Sequence, residues 1–254
     1  MSVGNREKTE KVEGIGIAEN SGNVPIGDFR RDAPVIEGHL RRFMLHVPEV
    51  IYKASGIVVF GRRIKSVLFS TDACIICNCN ADAVIAVYPF TPQPVITQSV
   101  MFAATVPVFV GIGGGLTQGT RVLELGRHAE FQGALGVVVN APTSNDVIRS
   151  LNEHLDIPVV VTVANAETDI AARLEAGARI LNVSAASRTP ELVGKIRADF
   201  PDVPIIATGG PTDASILATI EAGANAVTWT PPSNGEVFRD IMAAYRDDRP
   251  HPDF

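Results

Sequence analysis

Ser70-Thr71-Asp72, directly after an apolar, β-branched run, brings two hydroxyls and a carboxylate to the end of one strand. A carboxylate partly withdrawn from water can act as a general base, and a phenol such as Tyr88, on the next strand, can stabilise an enolate oxygen. In the same position Asp72 could instead cap the helix that follows it. Amides and hydroxyls recur at the later strand ends: Asn140, Thr162, Asn182, Ser184, Thr208, Thr228 and Thr230. Ala207-Thr208-Gly209-Gly210-Pro211-Thr212 leads into a helix at Asp213, where glycine N–H groups and the helix dipole attract an anion. The candidates for chemistry are therefore Asp72, Tyr88, Asn140 and Asn182. Those for ligand binding are Ser70, Thr162, Ser184, Thr208, Gly209, Gly210, Thr228 and Thr230.

Several mechanisms lack their residues. A Schiff base needs a lysine aimed into the site, and the five lysines are Lys8, Lys11, Lys53, Lys65 and Lys195, none at a strand end. The histidines fall in the N-terminal arm, on helices or in the tail. Cys74, Cys77 and Cys79 have a spacing that could ligate zinc, but the intervening Ile75 and Ile76 fit core packing better. No metal and no cofactor is expected, with a flavin as the lesser alternative.

The elements that position these residues repeat. Ala81–Thr91, Gly133–Thr143, Gly177–Ser187 and Gly223–Ser233 superimpose without a gap, and Val106-Pro107-Val108, Ile157-Pro158-Val159 and Val203-Pro204-Ile205 open strands between them. Eight strands are expected, beginning with Arg63–Ser70 and ending with Ala226–Thr230, separated by helical patterns such as Asn145–Leu155 and Asp213–Ala222. Strands apolar on both faces, alternating with amphipathic helices, specify a single (β/α)8 TIM barrel with an N-terminal helical extension. Residues 1–62 should form an arm and a helix, Ala33 to Lys53, and residues 63–254 the barrel. The alignment makes helix caps of Thr91, Thr143, Ser187 and Ser233. It places Ala86, Val138, Asn182 and Thr228, and one step higher Tyr88, Asn140, Ser184 and Thr230, in layers of the barrel interior. Ser70, Gly111, Thr162 and Thr208 come from the other strands.

Ile205-Ile206-Ala207-Thr208-Gly209-Gly210 and Glu221-Ala222-Gly223-Ala224-Asn225-Ala226-Val227 resemble the last two units of the phosphate-binding (β/α)8 barrels, the group that holds ketodeoxyphosphogluconate aldolase, thiamine phosphate synthase and N-acetylmannosamine-6-phosphate epimerase. The resemblance covers about the final 85 residues and implies an anion held at Gly209 and Gly210. Pro231-Pro232 departs from it, since proline has no N–H for the second half of such a cradle. The function expected is lysine-independent acid–base chemistry, of lyase or isomerase type, on a small anionic or polyhydroxylated metabolite at the carboxyl face of the barrel. A metabolite-sensing barrel, a flavin-dependent oxidoreductase and a hydrolase are the alternatives. The net charge of -6 argues against nucleic acid, and no apolar run approaches the roughly 18 residues that cross a bilayer. Three crowded cysteines fit a reducing cytoplasm. A small-molecule ligand, and self-association through the N-terminal helix, complete the expected partners.

Overall fold

A computed structural model describes residues 43–252, together with 34–36 and 38. The expected helix over Ala33 to Lys53 lies partly outside them; within them, only Glu49–Lys53 is helical, as a 3-10 turn. The chain then makes an antiparallel hairpin, β1 (Ile57–Val59) and β2 (Arg62–Ile64). Its two-residue loop, Phe60-Gly61, has positive φ at both positions (47° and 78°), as a type I′ turn requires.

Eight parallel strands follow and close into a barrel: β3 (Ser66–Phe69), β4 (Ala83–Ala86), β5 (Val108–Gly113), β6 (Gly136–Val139), β7 (Val159–Val163), β8 (Ile180–Val183), β9 (Ile205–Thr208) and β10 (Ala226–Trp229). The helices α1 (Ala73–Cys77), α2 (Pro94–Ala103), α3 (Thr120–Phe131), α4 (Asn145–His154), α5 (Ile170–Glu175), α6 (Thr189–Asp199), α7 (Asp213–Glu221) and α8 (Asn234–Arg246) alternate with them. This is the expected (β/α)8 architecture. Among the described residues no helix is long and apolar enough to cross a membrane.

Alternation along each strand produces two cores. Val159, Val161 and Val163 pack outward against the helices, while Val160 joins Val67, Ile85, Phe109, Val138, Ile180, Ile206 and Ala226 inside the barrel. Ile57, Val59 and Ile64 of the hairpin belong to the inner cluster, so the hairpin fills the amino-terminal end of the barrel. The expected boundary at residue 62 falls within this hairpin. The segment Arg63–Ser70 is thus two strands, β2 and β3, broken at Lys65, where the N–H groups of Lys65 and Ser66 both donate to Asp82 Oδ2. Its phase is also the reverse of that expected: Val67 faces in and Leu68 out.

The gapless superposition fails at β4. Gly133, Gly177 and Gly223 enter their strands with φ of 87°, 107° and 110°, a conformation that Ala81 at the matching position does not adopt. Without that turn, β4 enters one residue out of phase, with Ile85 and Val87 on the inside and Ala86 on the helix side. The hydroxyl caps are likewise partly misplaced. Ser233 caps α8, but Ser144 caps α4, Gln93 and Arg188 stand at the caps of α2 and α6 without a side-chain bond, and Thr143 is buried. Of the cysteines, only Cys79 is a core residue, its thiol pushed up by burial; Cys74 and Cys77 are exposed.

The turn residue Phe60 is 66% exposed and holds a backbone conformation that L side chains disfavour. Phe60→Asn creates the favoured Asn-Gly pair and should raise stability by about 1 kcal/mol, or roughly 2–4 °C in the melting temperature. An unchanged or lower midpoint in thermal denaturation would count against strain at this turn.

Candidate active site

At the carboxyl face, the ends of β3, β4, β6 and β10 surround a cavity of about 750 Å3. Ser70, Asp72, Tyr88, Asn140 and Thr230 of the expected set line it, with Phe69, Ile75, Pro231, Ser233, Asn234 and Glu236. A smaller cavity of about 110 Å3 adjoins it and shares Val87, Tyr88, Pro89 and Asn140. The glycine-rich loop after β5 forms its other side.

Asp72 is held by the helix it starts. Its Oδ1 accepts from the N–H groups of Cys74 (2.8 Å) and Ile75 (3.2 Å), and its own N–H donates to Ser70 Oγ at 3.1 Å. Capping therefore accounts for one oxygen and fixes the carboxylate, leaving Oδ2 without a protein partner among the described residues. The Tyr88 hydroxyl accepts from the Gln93 N–H at 2.9 Å, which leaves its own proton to be donated elsewhere. Asn140 is anchored through its backbone: its N–H donates to Gly113 and its carbonyl accepts from Thr143. Arg173 secures the loop beyond, donating to the carbonyls of Ala141 and Thr143 and to Asn145 Oδ1. Desolvation lowers the Arg173 pKa, yet those three oxygens satisfy its guanidinium.

Glu236 escaped the sequence reading, although Ser233-x-x-Glu236 is a capping-box pattern that could have revealed it. Its Oε2 accepts from the Ser233 N–H (2.8 Å) and hydroxyl (2.7 Å), and these bonds hold the carboxyl below its ordinary value. Oε1 has no protein partner among the described residues. Arg173 was also missed, since nothing in a helix-borne arginine signals which loop it reaches.

The remaining candidates do not line this cavity. Thr162, Asn182, Thr208 and Thr228 lie lower, in the barrel interior, where Asn182 Nδ2 donates to Thr162 Oγ1 at 3.3 Å; Ser184 is exposed on the rim. Around Gly209 and Gly210 the N–H groups of Gly209, Thr212 and Ser215 are already engaged. Gly209 N–H donates to the Thr228 carbonyl, and Thr212 and Ser215 bond each other reciprocally. A β-carbon at Gly209 would stand 2.6 Å from Val227 Cγ1 and 2.8 Å from Ile216 Cγ1, so close packing explains this glycine.

No known family profile and no curated protein matches the sequence. Solved structures of similar fold include phosphoenolpyruvate phosphomutase from Streptomyces platensis subsp. rosaceus (17% identity, TM-score 0.54, 78% of this chain and 86% of the other). Another is 2,3-dimethylmalate lyase, a member of the PEP mutase/isocitrate lyase superfamily (13%, 0.58, 79% and 83%). A third is phosphonopyruvate hydrolase in complex with oxalate and Mg2+ (13%, 0.55, 76% and 86%). At these identities the likeness establishes the barrel. One of them, 2,3-dimethylmalate lyase, belongs to a superfamily other than the phosphate-binding group that the sequence resembles. The expectation that no metal takes part is corrected by the Mg2+ complex of the third. Among the described residues no three His, Cys, Asp or Glu side chains group to hold a metal. A hard cation that keeps its waters needs only one or two carboxylates besides substrate oxygens, and the uncommitted oxygen of Glu236 meets that requirement.

A carboxyl with a lower pKa folded than unfolded stabilises the fold above its unfolded value, and the contribution fades as pH falls through the folded one. The Glu236 carboxyl is lowered by its bonds to Ser233, so Glu236→Gln should melt below wild type at neutral pH, and the gap should close as acid protonates the carboxyl. A gap in melting temperature that is independent of pH would contradict this. Gly209→Ala should cost about 1–3 kcal/mol in denaturant unfolding through overpacking; a neutral result would reopen Gly209 as a ligand contact.

Proposed function

We propose that this protein is a Mg2+-assisted enzyme of lyase or mutase type that acts on a small 2-oxo acid in the carboxyl-face cavity. The observation that carries the reading is the Asp72 carboxylate, with one oxygen locked on α1 and the other uncommitted in a cavity shared with Tyr88 and Asn140. Phosphoenolpyruvate, phosphonopyruvate and oxalate, the compounds in the neighbours' names, are small, oxygen-rich anions, which supports that substrate class.

Asp72 is the general base. Its Oδ2 takes the proton from the carbon beside the 2-oxo group, and the electron pair moves through that carbon into the carbonyl, giving an enolate oxygen. The Tyr88 hydroxyl, oriented by the Gln93 N–H, donates its hydrogen bond to that oxygen. In the cleavage direction Asp72 takes the proton of the hydroxyl on the departing carbon, which leaves as a carbonyl while the electrons of the broken C–C bond form the same enolate, and the proton returned by Asp72 completes the product. Asn140 orients a substrate oxygen through its side-chain amide. Glu236 would hold Mg2+ together with waters and substrate oxygens, and the chemistry supplied there is neutralisation of the substrate carboxylate and of the developing enolate charge.

Two measurements separate the roles. In Mg2+ buffer made with D2O, the protein should exchange the methyl protons of pyruvate, followed by NMR, and Asp72→Asn should slow this by about 10²–10⁴. Calorimetric binding of oxalate should require Mg2+, survive Asp72→Asn and weaken in Glu236→Gln. Exchange by Asp72→Asn at the wild-type rate, or oxalate binding indifferent to Mg2+, would sink the reading.

A further inference from the structure

Below the cavity the barrel interior is divided by polarity. Five successive strands, β6 to β10, supply Asn140, Thr162, Asn182, Thr208 and Thr228, each two residues beyond an inward apolar side chain of the inner cluster. The three strands that complete the circle supply Phe69, Val87 and Gly111 by the same alternation. Every polar group on this arc is uncharged. Thr162 pairs with Asn182 across β7 and β8, and Thr208 with Thr228 across β9 and β10.

Thr228 is only 7% exposed, and its Oγ1 has no hydrogen-bond partner among the described residues. Burial of an unpaired hydroxyl is costly, and its Thr208 neighbour is another hydroxyl. Thr230, on the same face, lines the cavity two residues higher, so Thr228 lies about 7 Å beneath it. A hydroxyl both donates and accepts, and its natural complement in a site without charge is another uncharged oxygen.

We propose that this throat is a subsite for the uncharged, partly hydroxylated end of the ligand. Oxygens of that end face Thr228, Thr208, Asn182 and Thr162, while its hydrocarbon edge lies against Phe69 and Val87. The proposal rests on the reading above, in that the charged end occupies the cavity, and it narrows the substrate to a hydroxylated carbon chain over a bare 2-oxo acid.

The test uses 4-hydroxy-2-oxobutyrate and 2-oxobutyrate, 2-oxo acids whose uncharged end carries or lacks a hydroxyl, in Mg2+ buffer by titration calorimetry. Wild type should bind the hydroxylated acid about tenfold more tightly. Thr228→Val, isosteric but lacking the hydroxyl, should bring the ratio near one without weakening 2-oxobutyrate, and Thr228→Ser should restore the preference. Equal affinities in wild type, or a preference that persists in Thr228→Val, overturns the subsite while Mg2+-dependent binding of either acid leaves the function reading intact. If neither 2-oxo acid binds, the function reading fails, and a crystal soaked in glycerol decides the throat. A glycerol oxygen bonded to Thr228 Oγ1 supports the subsite; water alone, or nothing bonded there, overturns it.

Discussion

A closed parallel barrel has one interior, and every strand must send alternate side chains into it. Here that volume is filled from below by Val67, Ile85, Phe109, Val138, Val160, Ile180, Ile206 and Ala226, and the β1–β2 hairpin completes the packing with Ile57, Val59 and Ile64. Close packing there leaves polar side chains only one place, the upper end, where solvent or a ligand can satisfy them. The division of the throat, the cavity above it and the placement of Asp72 are consequences of that single packing condition.

The carboxyl face imposes a second demand, because strand ends and helix N-termini meet there. Each helix begins with unpaired N–H groups, and the side chains that satisfy them are the ones nearest a ligand. Asp72 and Glu236 meet both requirements by dividing their oxygens, one toward the helix and one toward the cavity. Thr212 and Ser215 do not, since each is turned on the other, and the Gly209 N–H closes on Thr228. Gly209 is packed closely between Val227 of β10 and Ile216 of α7.

Much of this was legible in the chain. The recurring strand patterns specify eight parallel strands, because the apolar period and the Gly-Ala entries at 133, 177 and 223 are local properties. Ser70, Asp72, Tyr88, Asn140 and Thr230 converge on one cavity because each lies at a strand end, and barrel closure brings strand ends together. Where the pattern misled, a backbone detail intervened. Ala81 lacks the glycine turn, so β4 slips by one residue, and a break at Lys65 divides a segment that reads as continuous.

The sequence by itself determined the order of elements, the uncharged polarity of the later strand ends and the lack of any lysine there, because these depend on residue type and spacing. Tertiary structure alone decided that Glu236 and Asp72 line one cavity, that Arg173 holds the loop beyond Asn140, and that the Thr228 hydroxyl is buried without a partner among the described residues. The first of these depends on closure of the barrel, which sets β10 beside β3 and brings together side chains more than 150 positions apart, whereas Arg173 reaches a loop of the neighbouring unit about 30 positions away.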